Sequence, residues 1–189
     1  MVGIGGSNDQ SYPNVSALMR AYPNQKIAVV NIDSHFDVRV LKGGQAHSGS
    51  PFRLMLEDPR FSNTQSLFVE FGVKGASCSQ ADYEYLQQKQ AEVFWLDKHI
   101  RKHQKDPNSK YLTQAGQLFD ALLQRLHQQA SVIFVSFDLD AISCKHMPGV
   151  SAPSVIGGLT AEEAFEIVSI AGLCSAVKLV DFSEFNPAV

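Results

Sequence analysis

The sequence predicts a three-layer α/β/α fold built on a mostly parallel sheet, and two observations carry that prediction. Four short apolar runs stand apart along the chain, at Ile27–Ile32, Ser66–Gly72, Ser131–Phe137 and Ala176–Phe182. Three of them lack the strict alternation that a sheet with one wet face imposes, as expected of strands covered on both sides. Helical stretches separate the runs, and alternation of strand with helix is the order of an α/β layer fold.

Taken in order, the first helical stretch covers Asn14 to Tyr22 and leads into the first strand. Gln80 to Gln104 reads as a long, largely polar helix in which Phe94, Trp95 and Leu96 form the packed part or its turn. Asp106-Pro107-Asn108-Ser109 ends it, because proline restricts the residue before it and the others favour turns. A further helix spans Thr113 to Gln129. The last, Ala161 to Gly172, has a defined start: Thr160 and Glu163 form a T-x-x-E capping box, and Gly172 is placed to end it.

With 189 residues and 44% hydrophobic composition, the chain suffices for one compact domain over 1–189. A formal charge of −3 without a basic cluster argues against a nucleic-acid partner. Cys78, Cys144 and Cys174 fit neither a disulfide framework nor a metal knuckle, and no apolar run approaches the ~20 residues that span a bilayer. A soluble protein of a reducing, cytoplasmic compartment is expected, with no membrane partner.

The chemistry concentrates where ligand groups gather in open parallel sheets, beyond the carboxyl ends of the strands. The first strand runs into Asp33-Ser34-His35-Phe36-Asp37, the third into Asp138-Leu139-Asp140, and the fourth into Asp181-Phe182-Ser183-Glu184. So many carboxylates on one rim repel one another unless cations or raised pKa values compensate. Hard oxygens with one imidazole and no thiolate suit Mn²⁺ or a similar divalent ion, and two ions bridged by shared aspartates use a set of this size.

Gly5-Gly6-Ser7-Asn8, Asn31 to Asp37, Ser136 to Asp140, Gly157-Gly158-Leu159-Thr160 and Asp181 to Pro187 form an ordered set of motifs. The chain resembles in them the ureohydrolases, the binuclear manganese enzymes that include arginase, agmatinase and formimidoylglutamase. The resemblance implies an arginase-like fold, two Mn²⁺ per chain, a small-molecule substrate and a homo-oligomer. It makes Asp33 and Asp138 bridging ligands, with His35 and Asp140 completing one site and Asp37 contributing to the other. Asn8 stands where the family usually has His, and an amide is a weaker ligand than imidazole, so the site served by Asn8 is expected to bind its ion less tightly.

Arg39, and Ser48-Gly49-Ser50-Pro51-Phe52, resemble formimidoylglutamases more than arginases, which carry Asn for Arg39 and a proton-transferring His for Phe52. The implied reaction is hydrolysis of N-formimino-L-glutamate to L-glutamate and formamide. Arg39, Ser48 and Gly49 would bind substrate, Arg39 gripping a carboxylate through its bidentate fork. Glu184 would pair with the amidinium end, and Asp37 would orient the attacking water, the proton reaching the leaving nitrogen through Asp37 or a metal-bound group. Another ureohydrolase activity, or a silent family member serving as an oligomer subunit or metabolite binder, is the alternative.

Three further features receive lesser roles. His99 and His103 read as part of a solvated basic face. His47, in the loop before Ser48, is placed at the mouth of the site, and Cys144 is expected to be an inert buried thiol near the metals. Family members extend further on both sides, so the chain is expected to be a shortened form, incomplete at both ends. With no strand recognised before Gly5, an exposed sheet edge is expected.

Overall fold

The computed structural model describes residues 1–186 and 188. Among them, six strands form one parallel sheet: β1 (Val2–Ile4), β2 (Ile27–Ile32), β3 (Leu67–Val73), β4 (Glu92–Trp95), β5 (Val132–Asp138) and β6 (Val177–Ser183), in the order β1-β6-β5-β2-β3-β4. On one face lie α1 (Ser11–Ala21), α2 (Pro51–Glu57), α3 (Pro59–Asn63) and α4 (Gln80–Gln88). On the other lie α5 (Gln114–His127) and α6 (Ala161–Leu173). The three layers are those the sequence predicts.

Alternation within each strand feeds both cores. Val29, Phe68, Phe134 and Leu179 pack under α1 and α2, while Val30, Val69, Val135 and Val180 pack under α5 and α6. Each such side chain contributes about 1.5–3 kcal/mol on full burial. In α5 the buried residues Ala115, Phe119, Leu122, Leu123 and Leu126 recur at helical spacing, and the Thr113 hydroxyl caps its first turn by accepting from the Gly116 N–H at 2.8 Å. The capping box of α6 is formed, and Glu163 also takes the Arg101 guanidinium from the opposite segment. Gly172 lies inside the last turn of α6 rather than ending it, because the cap falls at Cys174.

The stretch 80–104 is not one helix. The helix stops at Gln88, Gln90 turns the chain through a left-handed conformation (φ 58°), and Glu92–Trp95 becomes the edge strand β4 beside β3. Polar residues at the start favour helix, but Val93, Phe94 and Trp95 are better served on a pleated surface. Phe94 packs on Phe71 and Trp95 on Phe36, with ring centroids 5.8 and 5.5 Å apart. Of the two histidines, His99 is exposed as expected, with Nδ1 accepting the Trp95 N–H at 2.9 Å, whereas His103 is half-buried and its Nε2 is buried.

A strand does precede Gly5, contrary to expectation. Three residues are too short for a pattern to register, yet Val2, Gly3 and Ile4 pair with Val180, Asp181 and Phe182. With β4 at the opposite side, β1 is an edge, and Val2 and Ile4 are 64% and 83% exposed. No helix among the described residues is long and apolar enough to cross a membrane.

Candidate metal centre

Both acidic motifs adopt the same local turn. Asp33 Oδ1 accepts the His35 N–H at 2.7 Å, and Asp138 Oδ1 accepts the Asp140 N–H at 2.9 Å. A short side-chain acceptor bonding two residues ahead is the reason for the D-x-H and D-x-D spacing. The turns lift their second residues onto the rim at the ends of β2 and β5, adjacent strands in the sheet. Behind them, the hydroxyls of Ser34 and Ser154 lie 2.7 Å apart and close on the Asp140 carbonyl. Gly158 (φ 109°) lets the chain pass against this turn, since a Cβ there would meet the Ser143 nitrogen at 2.6 Å.

Two groups that could each hold a metal ion result, Asp33–His35–Asp140 and Asp33–Asp37–Asp138, each with its candidate ligand atoms within 4.8 Å of one another. Asp33 belongs to both. His35 Nδ1 stands 3.4 Å from Asp33 Oδ1 and 3.1 Å from Asp140 Oδ2. The buried Asp140 Oδ1 has no hydrogen-bond partner among the described residues. A buried, incompletely satisfied set of hard oxygens with one imidazole fits a divalent cation of the Mn²⁺ type.

Electrostatics point the same way. Burial, reinforced by the charge of Asp140, pushes the Asp33 carboxyl up to about 6. Burial, then the charge of Asp33, raises Asp37 and Asp138 well above the usual range. His35 is pushed up to about 10, chiefly by its hydrogen bonds to Asp140 and Asp33. Imidazole must lose its proton to bind a metal, and any protonated carboxyl likewise. Loading at pH 7 is therefore expected to release at least one proton, from His35, and affinity for Mn²⁺ to rise by at least about tenfold per pH unit between pH 6 and 8. Calorimetry in buffers of different ionisation enthalpy reads this directly, and a pH-independent affinity contradicts it.

Asn8 is buried beside the second group, but its amide is turned so as to donate. Nδ2 bonds Asp37 Oδ2 at 2.7 Å, while Oδ1 accepts from Ser11 Oγ at 2.7 Å and Ser183 Oγ at 3.3 Å. In this arrangement two hydroxyl donors hold its only acceptor away from the carboxylates, so the ligand role expected of Asn8 would require the amide to turn over. Asp37 itself sits in a left-handed conformation (φ 48°).

The residues expected to bind substrate have the following contacts. Arg39 is 49% exposed with Nη2 3.9 Å from Asp37 Oδ1. It lies over Gly49, where a Cβ would meet the guanidinium carbon at 2.9 Å. Ser48 is exposed in the same loop. His47 Nδ1 accepts the Gly49 N–H at 3.2 Å, which makes Nε2 the donor to the Val40 carbonyl at 3.1 Å. Both ring nitrogens are thus engaged in holding the loop. Glu184, with φ 63°, accepts the Asn8 N–H at 2.8 Å and so binds the turn that leads into α1.

Phe52 does not face this region. It is fully buried and stacks on Phe68 with centroids 5.0 Å apart, so the residue that stands in place of the arginase His belongs to the core under α2. Asp181 is level with Ser136, two register positions inside the sheet from Asp138, and is bonded to Asn14 (2.6 Å) and Ser11 (3.4 Å), apart from both candidate ligand groups. Cys144 is half-buried rather than buried, with Sγ 4.0 Å from the Val155 carbonyl. Pro187 falls outside the described residues. Sequence reasoning passed over Asn31, Ser34, Glu70 and Ser154; an acid inside the otherwise apolar run of β3 was the available signal for one of them.

A parallel sheet carrying Asp-rich turns and one imidazole on its carboxyl rim is an arginase-type layout, and the arginase family profile matches residues 1–189. The chain belongs to the arginase family. It is similar to the solved Trypanosoma cruzi formiminoglutamase with Mn²⁺, at TM-score 0.83 and 38% identity over 100% of this chain and 58% of that one. It is also similar to Bacillus subtilis formimidoylglutamase, at TM-score 0.83 and 25% identity over 97% of this chain and 52% of that one. A Staphylococcus epidermidis formimidoylglutamase is 29% identical over 184 residues, 97% of this chain and 53% of the relative. The chain therefore spans about half the length of the curated relatives it matches.

Proposed function

We propose that this chain carries the catalytic site of a formimidoylglutamase, hydrolysing N-formimino-L-glutamate to L-glutamate and formamide. The observation that carries the reading is the placement of Arg39, a half-exposed cation held against Gly49 beside the carboxylate cluster. A substrate with two carboxylates is suited to such a fork, and the similarity to formimidoylglutamases supports the same choice.

Asp33, His35, Asp37, Asp138 and Asp140 would hold two Mn²⁺, which when bound make water nucleophilic near neutral pH and polarise the amidine. Asp37 orients the attacking water through Oδ1, because Oδ2 is taken by Asn8. Attack at the formimino carbon gives a tetrahedral carbon; the bond to the glutamate nitrogen then breaks as that nitrogen receives the proton Asp37 accepted. Glu184 faces the amidinium end, and Ser48 and Gly49 shape the floor under the substrate. Formamide release from N-formimino-L-glutamate, with arginine and agmatine in parallel, is the test; urea from either guanidine would replace the substrate assignment.

Asn8 bears on occupancy. The Asp37 group has three carboxylates and no imidazole, and its amide neighbour offers a donor in place of a ligand. It is expected to load second at limiting Mn²⁺, and Asn8→His to tighten it by about tenfold. A titration that resolves two binding steps checks both; equal steps in the unsubstituted chain, unchanged by the substitution, would remove the assignment.

A further inference from the structure

The proposed chemistry leaves Glu70 unused, although this carboxyl lies in the middle of β3 and is completely buried. An ionisable group in such a place is seldom kept without a partner. Its partner is on the next strand. Glu70 and Asn31 are register partners in β3 and β2, and Asn31 Nδ2 donates to Glu70 Oε2 at 2.9 Å and to Asp33 Oδ2 at 3.3 Å. One amide nitrogen has two protons, so each acid takes one.

The consequence falls on Asp33, the carboxylate common to both ligand groups. Its Oδ1 is held by the His35 N–H and its Oδ2 by Asn31, so both oxygens have a set direction. The Asn31 amide is itself held in rotation by Glu70, since turning it over would set Oδ1 against two carboxyls. The side chains form part of a polar rung across the buried sheet, Asp181, Ser136, Asn31 and Glu70 in register on successive strands, two residues before Asp33 and Asp138.

We infer that Glu70, acting through Asn31, is a positioning residue for the shared ligand Asp33 and thereby for Mn²⁺ affinity. The inference rests on the metal-dependent reading proposed above. Groups that orient metal ligands from behind typically change affinity by about 10–100-fold when removed.

Mn²⁺ affinity measured by calorimetry, with thermal melting as the record of folding, tests it in four variants. Glu70→Leu is expected to weaken binding by about 10–100-fold, and Glu70→Gln, which keeps an acceptor for Asn31, to stay within about threefold of the unsubstituted chain. The double variant Asn31→Leu with Glu70→Leu leaves neither of the two orphaned by loss of the other but takes the donor from Asp33 Oδ2; it is expected to weaken binding by about the same 10–100-fold as Glu70→Leu, because the two act as one unit. Val29→Ala, a buried neighbour in β2, is expected to lower the melting temperature without changing affinity. Undiminished affinity in Glu70→Leu or in the double variant, or equal loss in Glu70→Gln and Glu70→Leu, overturns the inference alone. Absence of Mn²⁺ binding by the unsubstituted chain overturns the metal reading and the inference with it.

Discussion

Asp33→Asn is expected to lower turnover by at least about 10³-fold while leaving the metal-free fold no less stable. Asp33 is the residue both ligand groups share, so its loss as an anionic ligand weakens two sites at once. Asparagine keeps an oxygen that can accept the His35 N–H, and with it the local turn. Stability follows from the sign of the pKa shift. A carboxyl raised to about 6 in the fold is more easily kept protonated there than in the unfolded chain. Its contribution is therefore present at low pH and lost as pH rises through about 6. At pH 7 the charged, buried Asp33 opposes folding of the metal-free chain, and the neutral amide removes that opposition. Metal content, turnover and thermal melting at pH 7 together check this. Retained Mn²⁺ stoichiometry with full turnover would contradict the shared-ligand role.

Arg39→Asn is expected to raise KM for N-formimino-L-glutamate by about 10–100-fold with a smaller change in kcat. A charge-assisted, bidentate contact is worth about 1.5–3 kcal/mol, and one made to a carboxylate remote from the reacting carbon helps ground and transition states alike. Half-exposure of Arg39 places the effect toward the lower end. Arg39→Lys is expected to recover little, because an ammonium cannot present the planar fork. Steady-state kinetics on the diacid substrate and on a mono-amine analogue lacking the carboxylates separate this from a general loss: the analogue should be indifferent to the substitution. An unchanged KM would show that Arg39 serves only its pairing with Asp37.

Much of the fold was legible because its strongest elements obey local rules. β2, β5 and β6 are apolar runs with no competing pattern, and the α6 start is a four-residue hydrogen-bond motif complete in itself. β4 was not legible. Its four residues follow a helix without a proline or glycine stop, and its strand character comes from the free edge of β3 and the contacts of Phe94 and Trp95 with Phe71 and Phe36. β1 was too short to carry any period, and it exists because β6 offers an edge.

The site divides in the same way. By itself the sequence determined the candidate ligand types and their local presentation at Asp33, His35, Asp138 and Asp140, since a side chain bonding two residues ahead needs only neighbouring atoms. Tertiary structure alone decided that Asn8 donates to Asp37, that Phe52 is core, and that Asn31 ties Glu70 to Asp33. These outcomes depend on hydroxyls, rings and carboxyls brought from distant parts of the chain. An amide or a phenyl ring has no preferred role until such partners surround it.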